Sequence, residues 1–190
     1  IVLPDSVSVD NALKKKLQAH LKKGGFILSS AYAGVDVEKK KFALDEYKIS
    51  FNGPEEYNYT FFKAEKEVSE GIQDMLTTIY EPGISMQAEK GAKAERQNHK
   101  SLTSRVAQEK FGVKVLARIF KPYFNLHSWD WRHENLYIPP EKDAGRPALV
   151  RCGNIFHFSF PVFKGYFNDA VVAYKTLVKN CLETAYPEPL

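Results

Sequence analysis

The sequence predicts an α/β domain resting on a mainly parallel sheet, and three observations carry that expectation. Ile1 to Ser30 holds a strand, an amphipathic helix and a second strand, the unit that brings parallel strands together through a right-handed crossover. Gly153-Asn154 stands between two apolar runs and predicts a hairpin late in the chain. A helical stripe follows, so the architecture closes on a hairpin plus a helix. With 190 residues, 44% hydrophobic and 13% aromatic, the chain can bury one sizeable core. No period of a solenoid is visible and no linker divides the chain, so residues 1–190 read as a single domain.

The elements follow in order. Ile1-Val2-Leu3 is an apolar run stopped by the turn signal Pro4-Asp5. A strand this short at the first residue predicts a C-terminal fragment of a longer chain. Asp10 is placed to cap a helix, because its carboxylate can accept a free first-turn amide. Leu13, Leu17 and Leu21 form the apolar stripe of that helix. Lys22 and Lys23 suit its negative end, and Gly24-Gly25 stops it. Phe26 to Leu28 is the second strand. Val35 to Asp45 reads as a charged loop or short helix, Ile49 to Phe51 as a strand closed by Asn52-Gly53-Pro54, and Tyr57 to Phe62 as a strand. Residues 87–112 are polar with few apolar anchors, which predicts an insertion or mobile surface segment. Val113 to Ile119 is a strand, Ala148 to Arg151 and Ile155 to Phe158 are the hairpin arms, and a helix is expected from Asp169. Its predicted buried face holds Val171, Tyr174, Val178, Cys181 and Leu182.

Composition and motifs exclude several kinds of chemistry. The net charge of +4 fits solubility and gives no sign of a nucleic-acid partner. No apolar run approaches the ~20 residues of a membrane span. Neither phosphate-loop pattern is present, so no nucleotide cofactor is expected. Cys152 and Cys181 make no disulfide framework and read as structural thiols. None of the five histidines has the helical spacing of a metal pair. His127 and His133 with Glu134 could supply three ligands, but nothing in the spacing fixes their geometry, and no metal site is expected. Paired carboxylates such as Asp130 and Glu134 read as surface groups.

Two features keep functional readings open. Ser29 and Ser30 end a strand at a sharp turn, where a serine could act as a nucleophile if a histidine took its proton. The Gly-x-Ser-x-Gly elbow is absent, and the same serines could simply end the strand and cap the turn. Phe120, Tyr123, Phe124, Trp129, Trp131 and Tyr137 crowd together with Asn125 and Arg132. Three roles stand open for them: packing, an interface anchored by Trp, Tyr and Arg, or stacking on sugars. Tyr123, Trp129, Trp131, Arg132 and Tyr137 are therefore the candidate ligand or interface residues.

Taken together, several segments resemble a known family. Leu3-Pro4-Asp5, Asp10 to Leu13, Leu17, Gly24-Gly25, Ile27-Leu28-Ser29 and Ala33-Gly34 resemble the class I glutamine amidotransferase-like domain. The version they resemble is the β-galactosidase trimerisation type attached to bacterial glycoside hydrolases. Val115 to Ile119 with Pro122 to Asn125, Tyr137-Ile138-Pro139-Pro140, Gly153-Asn154-Ile155 and Phe160 to Phe163 resemble its later part. The resemblance implies a three-layer, flavodoxin-like or amidotransferase-like fold, following a catalytic barrel upstream in the same chain. It implies a non-catalytic accessory role in oligomerisation or barrel packing, with no cofactor. Partners would be that barrel, further copies of the chain, or carbohydrate, and neither nucleic acid nor membrane. The family's elbow cysteine has no counterpart in Ser30-Ala31-Tyr32-Ala33-Gly34, and no partner His-x-Glu is evident, so amidotransferase chemistry is expected to be lost. The alternatives are a serine-dependent hydrolase or amidotransferase-like enzyme using Ser29 or Ser30, and a carbohydrate-binding module. The compartment, bacterial cytoplasm or periplasm, stays open.

Overall fold

A computed structural model describes residues 1–88, 112–125 and 138–186. Its first unit is the expected one. Strand β1 (Val2–Leu3) leads to helix α1 (Asn11–Lys22) and strand β2 (Ile27–Ser30). Asp10 caps α1, its carboxylate accepting from the Leu13 amide at 2.7 Å. Leu17 is buried, with Leu13 and Leu21 packed against the same core. The β1–β2 pair is parallel, Leu3 opposite Ser29.

The remaining strands are β3 (Ile49–Pro54), β4 (Thr60–Ala64), β5 (Thr77–Ile79), β6 (Ile84–Ala88), β7 (Val113–Pro122), β8 (Pro140–Cys152) and β9 (Ile155–Phe158). Two helices follow, α2 (Val162–Asp169) and α3 (Val172–Ala185). Seven strands form one sheet in the order β1-β2-β9-β8-β7-β4-β5, and β3 pairs with β6 as a separate antiparallel ribbon. The α/β class, the hairpin and the C-terminal helix match the expectation from sequence. The parallel character is narrower than expected: β1, β2 and β9 run parallel, whereas β9-β8-β7-β4-β5 alternate in direction. The reason is connectivity. Parallel neighbours need a long crossover, usually a helix, and α2 and α3 come after the last strand, where they cannot serve as one.

Two apolar clusters lie on opposite faces of the sheet. On one face Leu17 of α1, Ile49 of β3 and Met86 of β6 join Ile27, Val150 and Ile155. On the other face Val162 of α2 and Tyr174, Leu177 and Cys181 of α3 join Phe62, Leu149, Phe156 and Phe158. This gives three layers with the sheet in the middle. β7 changes faces along its length. Val113 belongs to the first cluster and Leu116, Ala117 and Ile119 to the second, because the β7–β8 register shifts between Val115 and Ala117. A bulge of that kind reverses the in–out alternation beyond it.

Several boundaries differ from the sequence reading. The strand expected from Tyr57 starts at Thr60, β6 and α2 were not expected, and α3 starts at Val172. On α3 the buried residues are Tyr174, Leu177, Asn180, Cys181 and Ala185, and Leu182 is exposed. Asn180 displaces the expected apolar pattern because its amide donates to the Val68 and Glu70 carbonyls, both at 2.8 Å. Gln87 and Ala88 of the expected insertion belong to β6, and residues 89–111 lie outside the described residues.

Candidate functional site

In open α/β sheets ligands sit beyond the carboxyl ends of the parallel strands. Here those ends are Leu3 on β1, Ser30 on β2 and Phe158 on β9, and each sequence-predicted serine lies there. Register places Ser29 of β2 beside His157 of β9. Ser29 Oγ and His157 Nδ1 are 2.9 Å apart, joined by one hydrogen bond whose direction follows the imidazole tautomer. The Tyr47 hydroxyl donates to Ser29 Oγ at 3.0 Å, and Ser29 Oγ lies 3.3 Å from the Phe156 carbonyl. Ser29, His157 and Tyr47 are each 0% exposed.

A serine, a histidine and a third polar group in contact suggest acyl-transfer chemistry. The surroundings argue for a structural role. Phe42 stacks on Tyr47 at 4.6 Å and meets the His157 ring edge-on at 4.9 Å, roofing the cluster with aromatic surface. Burial alone pushes His157 down to about 3, so the ring stays neutral. Burial pushes the Tyr47 phenol well above its ordinary range. The arrangement orders three polar groups inside the core and gives a substrate no route to Ser29 Oγ.

Ser30 turns the other way. Its hydroxyl donates to Asp5 Oδ1 at 2.5 Å and accepts from the Asp5 amide at 3.0 Å. The same carboxylate accepts from the Lys164 amide at 2.7 Å and the Phe163 amide at 3.5 Å. Those amides open α2, whose own N-cap, Pro161, has no side chain to offer. Asp5 therefore caps α2 from the far end of the chain, and it occupies the place where an anion would meet a helix N-terminus. The next residue, Ala31, is buried at φ +49°. That conformation is strained for any residue with a Cβ, and the side chain at the elbow is a methyl group, which offers no nucleophile.

Of the aromatic candidates, Tyr123 is 69% exposed at the end of β7, and its amide donates to the Pro139 carbonyl at 3.0 Å. Phe120 packs against Tyr59, Phe61 and Ile138. Trp129, Trp131, Arg132 and Tyr137 lie outside the described residues, as do His127, His133 and Glu134. Among the described residues no cluster of three or more His, Cys, Asp or Glu side chains could hold a metal, and no helix is long and apolar enough to cross a membrane. Cys152 and Cys181 are buried, and burial pushes both thiols up to about 12, which suits inert core residues. A shallow groove of about 420 Å³ lies elsewhere, between Gly71–Tyr80 and Val171–Ala173. Exposed apolar side chains line that groove, with Val172 70% exposed together with Met75 and Tyr80.

The sequence reading named Ser29 and Ser30 but not their partners. The partners Asp5, Tyr47 and His157 come from three separate stretches, and only strand order brings them together. The nearest signal was the Gly153-Asn154 hairpin, which fixes where β9 begins but not which strand it joins.

This arrangement of sheet and helices occurs in known enzymes. The fold is shared with glycoside hydrolases. α-L-Fucosidase isoenzyme 2 from Paenibacillus thiaminolyticus is similar over 98% of this chain and 25% of its own, with a TM-score of 0.77 and 20% identity. A cold-adapted β-galactosidase from Rahnella sp. R3 is similar over 99% of this chain and 22% of its own, with a TM-score of 0.55 and 11% identity. A ThuA-like protein from Bacteroides uniformis is similar over 97% of this chain and 68% of its own, with a TM-score of 0.53 and 12% identity. At these identities the likeness is one of fold. The chain spans about a quarter of the length of the two hydrolases. No family model and no curated protein matches the sequence.

Proposed function

We propose that this chain is a non-catalytic accessory domain of a glycoside hydrolase, serving oligomerisation or packing on a catalytic barrel upstream in the same protein. The observation that carries the reading is the match of nearly the whole chain to a quarter of a fucosidase chain. The ThuA-like neighbour supports an amidotransferase-like ancestry, and the β-galactosidase neighbour fits the trimerisation type. Ala31 at the elbow and the buried hydroxyls of Ser29 and Ser30 support the loss of chemistry. The apolar surface at Val172, Met75 and Tyr80 supports a partner, because exposed apolar patches commonly mark interfaces.

The test is the intact mass of the protein from its own cells, followed by assays of both forms. The expected mass is far above 21.6 kDa. The longer protein is expected to turn over an aryl fucoside or galactoside, and the isolated 190-residue chain neither. Turnover by the isolated chain would sink the proposal, as would a natural protein of 21.6 kDa.

The 2.9 Å contact between Ser29 and His157 favours a second reading, a serine-dependent hydrolase or amidotransferase-like enzyme. It requires a fluorophosphonate probe to label the protein and Ser29→Ala to abolish the label. A carbohydrate-binding role for Tyr123, Trp129, Trp131, Arg132 and Tyr137 requires oligosaccharides to shift tryptophan fluorescence.

A further inference from the structure

His157 is a fully buried histidine whose second ring nitrogen, Nε2, has no hydrogen-bond partner. Its neighbours hold no charge that could balance a proton on the ring. From β2 it meets Ser29, and from β8 its register partner is Val150, with the Cys152 thiol two residues away. From the segment between β2 and β3 it meets the rings of Phe42 and Tyr47. The groups among these that titrate are the Tyr47 phenol and the Cys152 thiol, and burial moves both further from ionisation. Among the described residues no carboxylate is hydrogen-bonded to the imidazole.

The segment that covers the ring, residues 31–48, is irregular. Its regular pairing consists of the single bridges Val9–Asp36 and Val35–Phe42 and one 3-10 turn at Asp45–Tyr47. Its backbone ties to the rest include Tyr32 N to Asp5 O at 2.9 Å, Gly34 N to Val7 O at 3.1 Å and Val9 N to Val35 O at 2.9 Å. The segment is held by the burial of Ala33, Val35, Phe42, Leu44 and Tyr47 in the first apolar cluster and not by a strand ladder, so whatever opens it must release those side chains together. The side chains of Phe42 and Tyr47 roof the imidazole, so opening this segment is the shortest way to bring water to it.

We infer that residues 31–48 form an acid-released cover, latched by the Tyr47–Ser29–His157 hydrogen bonds and freed when His157 takes a proton in the open form. The open form gains the proton that the closed form refuses, so acid favours opening by mass action. With His157 held near 3 in the closed form against an ordinary 6.5, the open population rises about thirtyfold between about pH 8 and about pH 5.

Hydrogen exchange by mass spectrometry on the full-length protein tests this, with rates corrected for intrinsic exchange. Opening in peptides from 31–48 should rise about thirtyfold on acidification, through a motion that leaves the β7 and β8 peptides protected. His157→Phe should abolish the acid response. Tyr47→Phe should raise opening at both pH values and keep their ratio. A pH response that persists in His157→Phe overturns the inference, and so does one spread evenly over β7, β8 and residues 31–48. If His157→Phe does not fold, ring nitrogen NMR of the wild type decides. A ring neutral in the closed form at pH 5 supports the latch, and a charged one overturns it.

Discussion

A methyl group at residue 34 has nowhere to go. Gly34 adopts φ +88°, and a Cβ there would lie 2.3 Å from the Tyr47 hydroxyl, the group that donates to Ser29. Gly34→Ala combines left-handed strain with a clash inside a packed core, and it should cost about 2–4 kcal/mol. Urea unfolding measures this, and Tyr47→Phe in the same background should recover part of the loss by removing the struck oxygen. The same scale explains what a reader of the sequence could find. Ser29 and Ser30 stand out because serines at the end of an apolar strand are unusual. Gly34 was legible as a turn residue. Its role in making room for Tyr47 was not, because Tyr47 approaches from a separate stretch of chain.

Helices α2 and α3 meet at Ala170, which takes the left-handed conformation at φ +52° while its amide donates to the Tyr166 carbonyl at 3.0 Å. This is the C-cap geometry that glycine adopts without penalty. Ala170→Gly should therefore stabilise the protein by about 0.5 kcal/mol, the relief of strain exceeding the added freedom of the unfolded chain. A rise in denaturant midpoint with unchanged slope checks it, and a fall would mean that the strain is not relieved. Elements with a local rule behind them were legible. Helix α1 had its cap and leucine stripe, and the β8–β9 turn had Gly153, at φ +57°. Helix α2 was missed because Pro161 precedes it without a capping side chain, and its cap, Asp5, is supplied from 159 residues away. Strand β8 was seen only from Ala148, because Glu141, Lys142, Asp143 and Gly145 give its first half the polarity of a loop.

At the scale of the molecule, stability should fall with acid in a window set by His157. Its folded value near 3 lies below the ordinary 6.5, so the unfolded chain holds more protons between those limits. Stability from this source is complete above pH 6.5 and is lost as pH falls toward 3, at about 1.4 kcal/mol per unit and on the order of 5 kcal/mol in all. Urea midpoints measured across that window should decline steeply for the wild type and less steeply for His157→Phe; parallel declines would assign the effect to other groups. The overall class was legible because one strand–helix–strand unit and one hairpin sufficed to suggest it. Sheet order was not, because which strand pairs with β9 depends on packing across the whole chain. That pairing also sets a schedule for synthesis. β2 lies between β1 and β9, and its residue Ser29 meets a partner 128 positions later. At ordinary translation rates the ribosome needs on the order of ten seconds to supply it. Throughout that interval a strand whose four residues are all buried in the finished fold has one side without a neighbour, and the nascent chain must keep Ile27 and Leu28 from finding a wrong one.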